Sequence, residues 1–87
     1  MTVTFSGTGT QDDPIQISGV TTNTEGVRAE YVYLSERFGQ RGQDWTLERQ
    51  ALIKLPSGGM GDLMIIKLAD SQIVEVYFDI SSFFGKW

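Results

Sequence analysis

The side chains of this chain that could do chemistry are carboxylates, amines and hydroxyls, because its 87 residues include no histidine and no cysteine. Without histidine the usual proton shuttle is missing, and without cysteine there is neither a thiolate nucleophile nor a soft metal ligand. Catalytic triads, cysteine–histidine dyads and structural zinc sites are therefore excluded. The remaining groups catalyse reactions only in pockets that tune them, and a chain of this length has little volume for such a pocket.

Carboxylate pairs are the pattern closest to a chemical site. Asp12 and Asp13 stand together in a loop, but a calcium loop needs alternating oxygen ligands, which this stretch lacks. A pair for glycoside cleavage could be assembled from several other carboxylates, among which the sequence does not choose. The candidates include Glu25, Glu30, Glu48, Asp62 and Asp79. We therefore predict no catalytic residues, no metal and no cofactor, and we expect that the protein is not an enzyme.

Two glycine-rich stretches raise the question of a phosphate-binding loop. Neither Gly7-Thr8-Gly9 nor Gly58-Gly59-Met60-Gly61 has the lysine spacing of a Walker loop or the dinucleotide fingerprint. The second stretch also precedes a predicted strand, whereas phosphate loops of this kind lead into a helix. Turn glycines are the better interpretation of both.

The charge balance argues against nucleic-acid binding. Seven basic and eleven acidic residues give a net charge of −4, and the basic residues are scattered along the chain. Nucleic-acid binders usually concentrate positive charge to neutralise phosphates. We expect no nucleic-acid partner. A mildly acidic surface suits solubility and would also help to steer a basic partner.

Length and hydropathy indicate one small globular domain over residues 1–87. Hydrophobic residues make up 40% of the chain, as in ordinary folded domains, and half of this length could hardly bury a core of its own. No apolar stretch is long enough to cross a bilayer, and Met1 to Gly9 have no signal-peptide pattern. Small secreted domains usually need disulfides. We therefore expect a cytoplasmic protein without membrane insertion.

One helix is the strongest structural prediction. Thr22 and Glu25 form a capping-box pattern, and Gly39 is placed to end the helix, so we expect it to run from about Asn23 to Phe38. Its apolar residues recur at spacings of four, three and four. They are Val27, Tyr31, Leu34 and Phe38. Four charged residues are expected on the wetter side, namely Arg28, Glu30, Glu36 and Arg37.

The rest of the chain is predicted to form strands. Two short ones flank the turn-rich loop 7–14, and three longer ones cover about residues 46–55, 62–68 and 72–80. The first long segment could also begin as a short helix, and Arg49 and Leu52 break its alternation. No spacing demands a parallel pair. The predicted fold is α+β, with one amphipathic helix packed on an antiparallel sheet of three to five strands in the order β-β-α-β-β-β.

Aromatic residues suggest a contact surface. Trp45 lies off the apolar stripes, and Phe83, Phe84 and Trp87 follow the last predicted strand in a tail that either closes the core or stays exposed. Interfaces are enriched in large aromatic residues and arginine. The predicted contact residues are Arg41, Trp45, Phe84 and Trp87. We expect a non-catalytic module that binds another protein, of the inhibitor, immunity or accessory-subunit type. A homo-oligomeric structural protein, such as a homo-dimer, and a small-molecule binder are the alternatives.

Overall fold

A computed structural model describes residues 2–86 and contains one helix and five strands. The strands are β1 (Thr4–Ser6), β2 (Ile15–Ser18), β3 (Trp45–Lys54), β4 (Met60–Leu68) and β5 (Ile73–Asp79), and the helix α1 (Asn23–Phe38) lies between β2 and β3 in the sequence. The predicted α+β class and the element order are confirmed. The sequence of β3 could also be interpreted as a short helix followed by a strand, but the segment is a strand from its first residue.

The five strands form one mixed sheet in the order β1-β2-β5-β4-β3. Three of the four neighbouring pairs are antiparallel, whereas β2 and β5 are parallel, with Ile15 opposite Phe78. The parallel pair arises because the chain leaves β2, forms α1, β3 and β4, and then inserts β5 between β2 and β4. A crossover this long is compatible with a parallel pair, and the short connections visible in the sequence do not reveal it.

The ends of α1 follow from local chemistry. The backbone N–H of Glu25 donates to Thr22 Oγ1 over 3.3 Å, and the N–H of Thr22 donates to Glu25 Oε1 over 3.2 Å, which completes the capping box. Gly39 ends the helix with a φ of 108°, a region that favours glycine. Both predicted ends are confirmed. Within residues 2–86 no helix is long and apolar enough to cross a membrane.

The buried face of α1 is rotated from the predicted stripe. Its fully buried residues are Gly26, Ala29, Glu30 and Leu34, whereas Val27, Tyr31 and Phe38 are only half-buried. The cause is the contact between Gly26 and Phe83, whose ring occupies the space that a Cβ at position 26 would need. This contact turns the glycine side of the helix toward the core. The prediction that Glu30 lies on the wetter side is therefore wrong.

A bulge in β3 explains the broken alternation of that segment. Leu47 pairs with Ile66 and Arg49 with Ile65, so Glu48 is an extra residue in the ladder. Beyond the bulge the two faces are exchanged, because side chains alternate strictly along a strand. Gln50 and Leu52 consequently share the helix side of the sheet with Asp62.

The two faces of the sheet differ in their cover. On one face, α1 packs on the core strands through residues such as Leu34, Met64 and Phe78, all at 0% exposure. The opposite face, which we call the open face, carries partly exposed apolar side chains. They are Ala51, Ile53, Leu63, Ile65 and Tyr77. An exposed apolar sheet face is typical of a site that contacts another protein or a second copy of the chain.

Candidate functional site

Two buried carboxyl groups meet between α1 and β4. Glu30 is 1% exposed and Asp62 is 5% exposed, although residues of these types are almost never buried unless they are paired. Here the pair consists of two acids, and their side chains are hydrogen-bonded to each other. Such a bond requires one shared proton, since two carboxylates can only accept.

The proton of the pair resides on Glu30 at neutral pH. Burial raises the pKa of Glu30 to about 10, and the hydrogen bond and negative charge of Asp62 act in the same direction. One oxygen of this carboxyl group, Oε2, is buried and accepts no hydrogen bond from a donor group among residues 2–86. An unsatisfied buried polar atom costs about 1 to 3 kcal/mol, so the carboxyl pair would gain from a further hydrogen-bond donor.

The neighbouring strand β3 orients Asp62. The Nε2 amide of Gln50 donates to Asp62 Oδ2 over 2.8 Å, and Leu52 lies directly opposite Asp62 in the ladder. Both residues reach this face only because the bulge at Glu48 exchanges the faces of β3. Asp62 thereby accepts one hydrogen bond from an amide and another from the Glu30 carboxyl, an arrangement suited to a carboxylate.

A cavity of about 210 Å³ adjoins the carboxyl pair. We call it the acid cavity. Its polar lining comes from Glu30, Asp62, Gln50 and Asn23. Its apolar lining includes Val27, Leu52, Phe83 and Phe84. Since the two acids are buried, while Leu52 is 57% and Phe84 43% exposed, the cavity has a polar buried end and an apolar rim.

The predicted contact residue Trp45 belongs to the core. Its side chain is 1% exposed, its Nε1 donates to the carbonyl of Gly39 over 2.7 Å, and its ring stacks on Tyr31 with 6.5 Å between the ring centroids. Trp45 shares the helix side of β3 with Leu47, which corrects the prediction that it lies at a contact surface. Arg41 is exposed and lies 4.4 Å from the Tyr31 ring centroid, and its role in binding stays a prediction.

The C-terminal aromatic residues divide between the two interpretations of the tail. Phe83 is fully buried against Gly26, whereas Phe84 is 43% exposed at the rim of the acid cavity. Both residues belong to one turn, in which their N–H groups donate to the carbonyl of Ile80, over 3.1 and 2.8 Å. The third predicted aromatic contact, Trp87, lies outside the described residues.

The other candidate sites of the sequence are turns. Asp13 accepts the Thr8 N–H at its Oδ2 over 3.0 Å and thereby closes its own loop. Gly7 and Gly58 have φ values of 98° and 95°, which explains why glycine stands there. In the part of the chain that the structure describes, no three acidic side chains are grouped so that they could hold a metal ion.

The alternation of β4 contains one hint of the carboxyl pair. Asp62 has the same parity as Met64 and Ile66, so the alternation of β4 places it on the core face. Glu30 has no comparable signal, because glutamate on a helix usually faces solvent. Its burial accompanies the packing of Phe83 on Gly26, which is a long-range contact.

No protein-family model matches the chain, and it has no significant match among curated proteins or solved structures. The acid cavity and the sheet are therefore the features from which a function can be proposed.

Proposed function

We propose that the protein is a non-catalytic cytoplasmic module that binds another protein at the cleft between α1 and β3, as an inhibitor, an immunity factor or an accessory subunit does. The observation that carries this proposal is the exposure of Leu52 and Phe84, 57% and 43%, on the rim of a cavity with a polar buried end. Exposed apolar side chains around a polar pocket resemble the anchors of protein interfaces.

The size of the acid cavity supports a protein partner over a small molecule. Pockets for small-molecule ligands usually have volumes of roughly 300 to 1,000 Å³, and this one has about 210 Å³. A cavity of this size suits one side chain of a partner, with the rest of the partner lying on the rim. The net charge of −4 favours a partner with basic residues, because opposite charge accelerates association.

The hydrogen bond between Glu30 and Asp62 argues against glycoside cleavage by this pair. In glycosidases the two carboxyl groups are separated by roughly 5 to 9.5 Å, so that a sugar bond or a water molecule fits between them. Two acids that share a proton leave no such space. The absence of cysteine, which small secreted domains usually need for disulfides, favours the cytoplasm.

Affinity capture with matched variants tests this proposal. The immobilised wild type and the double variant Leu52→Ser/Phe84→Ser are exposed to extract of the native host, and the recovered proteins are quantified by mass spectrometry. The control is Val3→Ser/Val32→Ser, which removes two residues of similar exposure, 40% and 43%, from the cleft on the other side of α1. We expect the control to retain a specific partner that the cleft variant loses. Equal recovery by all three proteins would contradict the proposal.

A second candidate function is self-association through the open face. Across this face one row reads Arg49, Ile65, Glu75 and the next reads Ala51, Leu63, Tyr77. A two-fold axis along β4 would lay Arg49 over Glu75 of a second copy and the small Ala51 over the large Tyr77, while Leu63 and Ile65 would meet their own counterparts. Charge and size would then be complementary in a symmetric sheet-on-sheet contact.

Sedimentation velocity over a dilution series tests this second candidate. Ile65→Lys would place two lysines against each other near the axis, so a dimer of the wild type should become a monomer in the variant. Lys67→Ala, at the margin of the same face, is the control and should remain dimeric. A wild-type monomer at every concentration would contradict self-association and leave the cleft proposal standing.

A further inference from the structure

We infer that the acid cavity binds the basic side chain of a lysine or arginine that the partner protein inserts between α1 and β3. This inference rests on the proposed function, since the partner supplies the side chain. It identifies the chemistry that the cleft recognises, namely a single positive charge on a long apolar stem.

The carboxyl pair has hydrogen-bond acceptor capacity that no donor in the described part of the chain fills. Glu30 lines the acid cavity, and its buried Oε2 accepts no hydrogen bond from a donor group within residues 2–86. Buried polar atoms in folded proteins nearly always have a partner. A carboxyl pair that shares one proton has more acceptor lone pairs than that proton and the Gln50 amide fill, so it can accept further donors. Ammonium and guanidinium groups consist of donors only.

The acid cavity carries a negative charge. The titratable groups that line the acid cavity are Glu30 on α1 and Asp62 on β4, whereas β3 contributes the neutral Gln50. The described lining contains no basic residue. Two acids that share one proton carry one negative charge together, so one incoming cation neutralises the site without any proton being gained or lost. Hydrogen bonds to such charged groups are the strong ones in proteins.

One wall of the acid cavity is apolar. Lysine and arginine bury their methylene stems against apolar surface while their charged heads seek polar partners. Val27, Leu52 and Phe84 line the cavity beside the carboxyl pair and offer such a surface. An aromatic ring at the rim adds a favourable contact with a cation.

Titration with side-chain analogues, followed by NMR, tests this inference. The probes are n-butylammonium for lysine and n-propylguanidinium for arginine, and n-butanol is the neutral control of similar shape. We expect at least one cationic probe to cause saturable shifts at the Gln50 side-chain amide and the Leu52 methyl groups, with an affinity about tenfold or more above that of n-butanol. Equal shifts with n-butanol, or no saturable shift at these residues, would overturn the inference.

Two nearly isosteric variants separate charge from shape. Asp62→Asn removes the one negative charge and should weaken binding of the cationic probes about tenfold or more. Glu30→Gln keeps both an acceptor and a donor toward Asp62, and should change the affinity by only a few fold. Undiminished binding by Asp62→Asn would overturn the inference. Circular dichroism of both variants, with retention of the folded spectrum, ensures that the comparison concerns binding.

The outcomes distinguish this inference from the function on which it rests. If the cationic probes fail while capture still depends on Leu52 and Phe84, the cleft binds proteins by apolar contact and the inference alone is overturned. If the probes bind but capture is independent of these two residues, the cavity is a cation site and the proposed function is overturned.

Discussion

The ring of Phe83 lies directly against the backbone of Gly26, so closely that a methyl group at position 26 would overlap it. This contact joins the C-terminal turn to the first half of α1, and it determines which side of the helix faces the sheet. Glu30, one turn further along the helix, is buried as a consequence. The acid cavity therefore depends on a glycine that the helix itself would do better without.

Replacing Gly26 by alanine should reveal this contact. Alanine favours a helix over glycine by about 1 kcal/mol, but overpacking against Phe83 costs about 1 to 3 kcal/mol. We expect Gly26→Ala to lower the free energy of unfolding in the wild type and to raise it in a Phe83→Ala background. Denaturant unfolding of the four proteins of this cycle measures both effects. Stabilisation by Gly26→Ala in the wild-type background would contradict the contact.

Stability should decrease as the pH rises, because of Glu30. Its pKa rises from 4.5 in the unfolded chain to about 10 in the folded protein, so between these values the folded state holds a proton that the unfolded state has released. The free energy of unfolding should fall with increasing pH by up to about 1.4 kcal/mol per unit. Thermal melts between about pH 5.5 and 8 measure the slope.

Glu30→Gln is the matched variant for this measurement, since it cannot titrate and keeps a donor toward Asp62. Its melting temperature should depend on pH much less than that of the wild type. The lowered pKa of Glu25, which accepts hydrogen bonds from Thr21 and Thr22, has the opposite effect on stability, but only in acid below this range. Identical pH slopes for the wild type and the variant would contradict a neutral, buried Glu30.

The bulge in β3 should be necessary for the site. Deleting Glu48 restores a regular ladder, so one half of the strand must present its side chains to the wrong face. We expect the deletion to lower the melting temperature and to abolish the hydrogen bond between Gln50 and Asp62, observed as loss of slowed exchange at the Gln50 side-chain amide. Glu48→Ala, which keeps the chain length, should preserve both. A deletion variant with the wild-type amide signal would contradict this role of the bulge.

The parts of the fold that were predicted from sequence are those specified by neighbouring residues. The capping residues Thr22 and Glu25 specify where α1 begins, and the alternation of Val74, Val76 and Phe78 specifies β5 and its core face. Phe84 is exposed at the rim of the acid cavity, and its role as a contact residue stays a prediction.

The parts that were missed depend on contacts between distant segments. The rotation of α1 requires Phe83 to reach Gly26, and the parallel pair of β2 and β5 results from the path of the whole chain. Trp45 is predicted at the surface because the predicted strand begins only at Thr46, whereas β3 begins at Trp45 itself. No local pattern could bring Glu30 and Asp62 together.

The protonation state of Glu30 in the folded protein tests the central claim most directly, because the acid cavity holds one negative charge only if Glu30 is neutral. The measurement is the ¹³C chemical shift of the Glu30 side-chain carboxyl group, followed by NMR as the pH is raised from about 4 to 9. We predict the shift of a protonated carboxyl at pH 7 and no midpoint near the ordinary value of 4.5. A carboxylate shift at pH 7, with a midpoint near the ordinary value, would contradict the account.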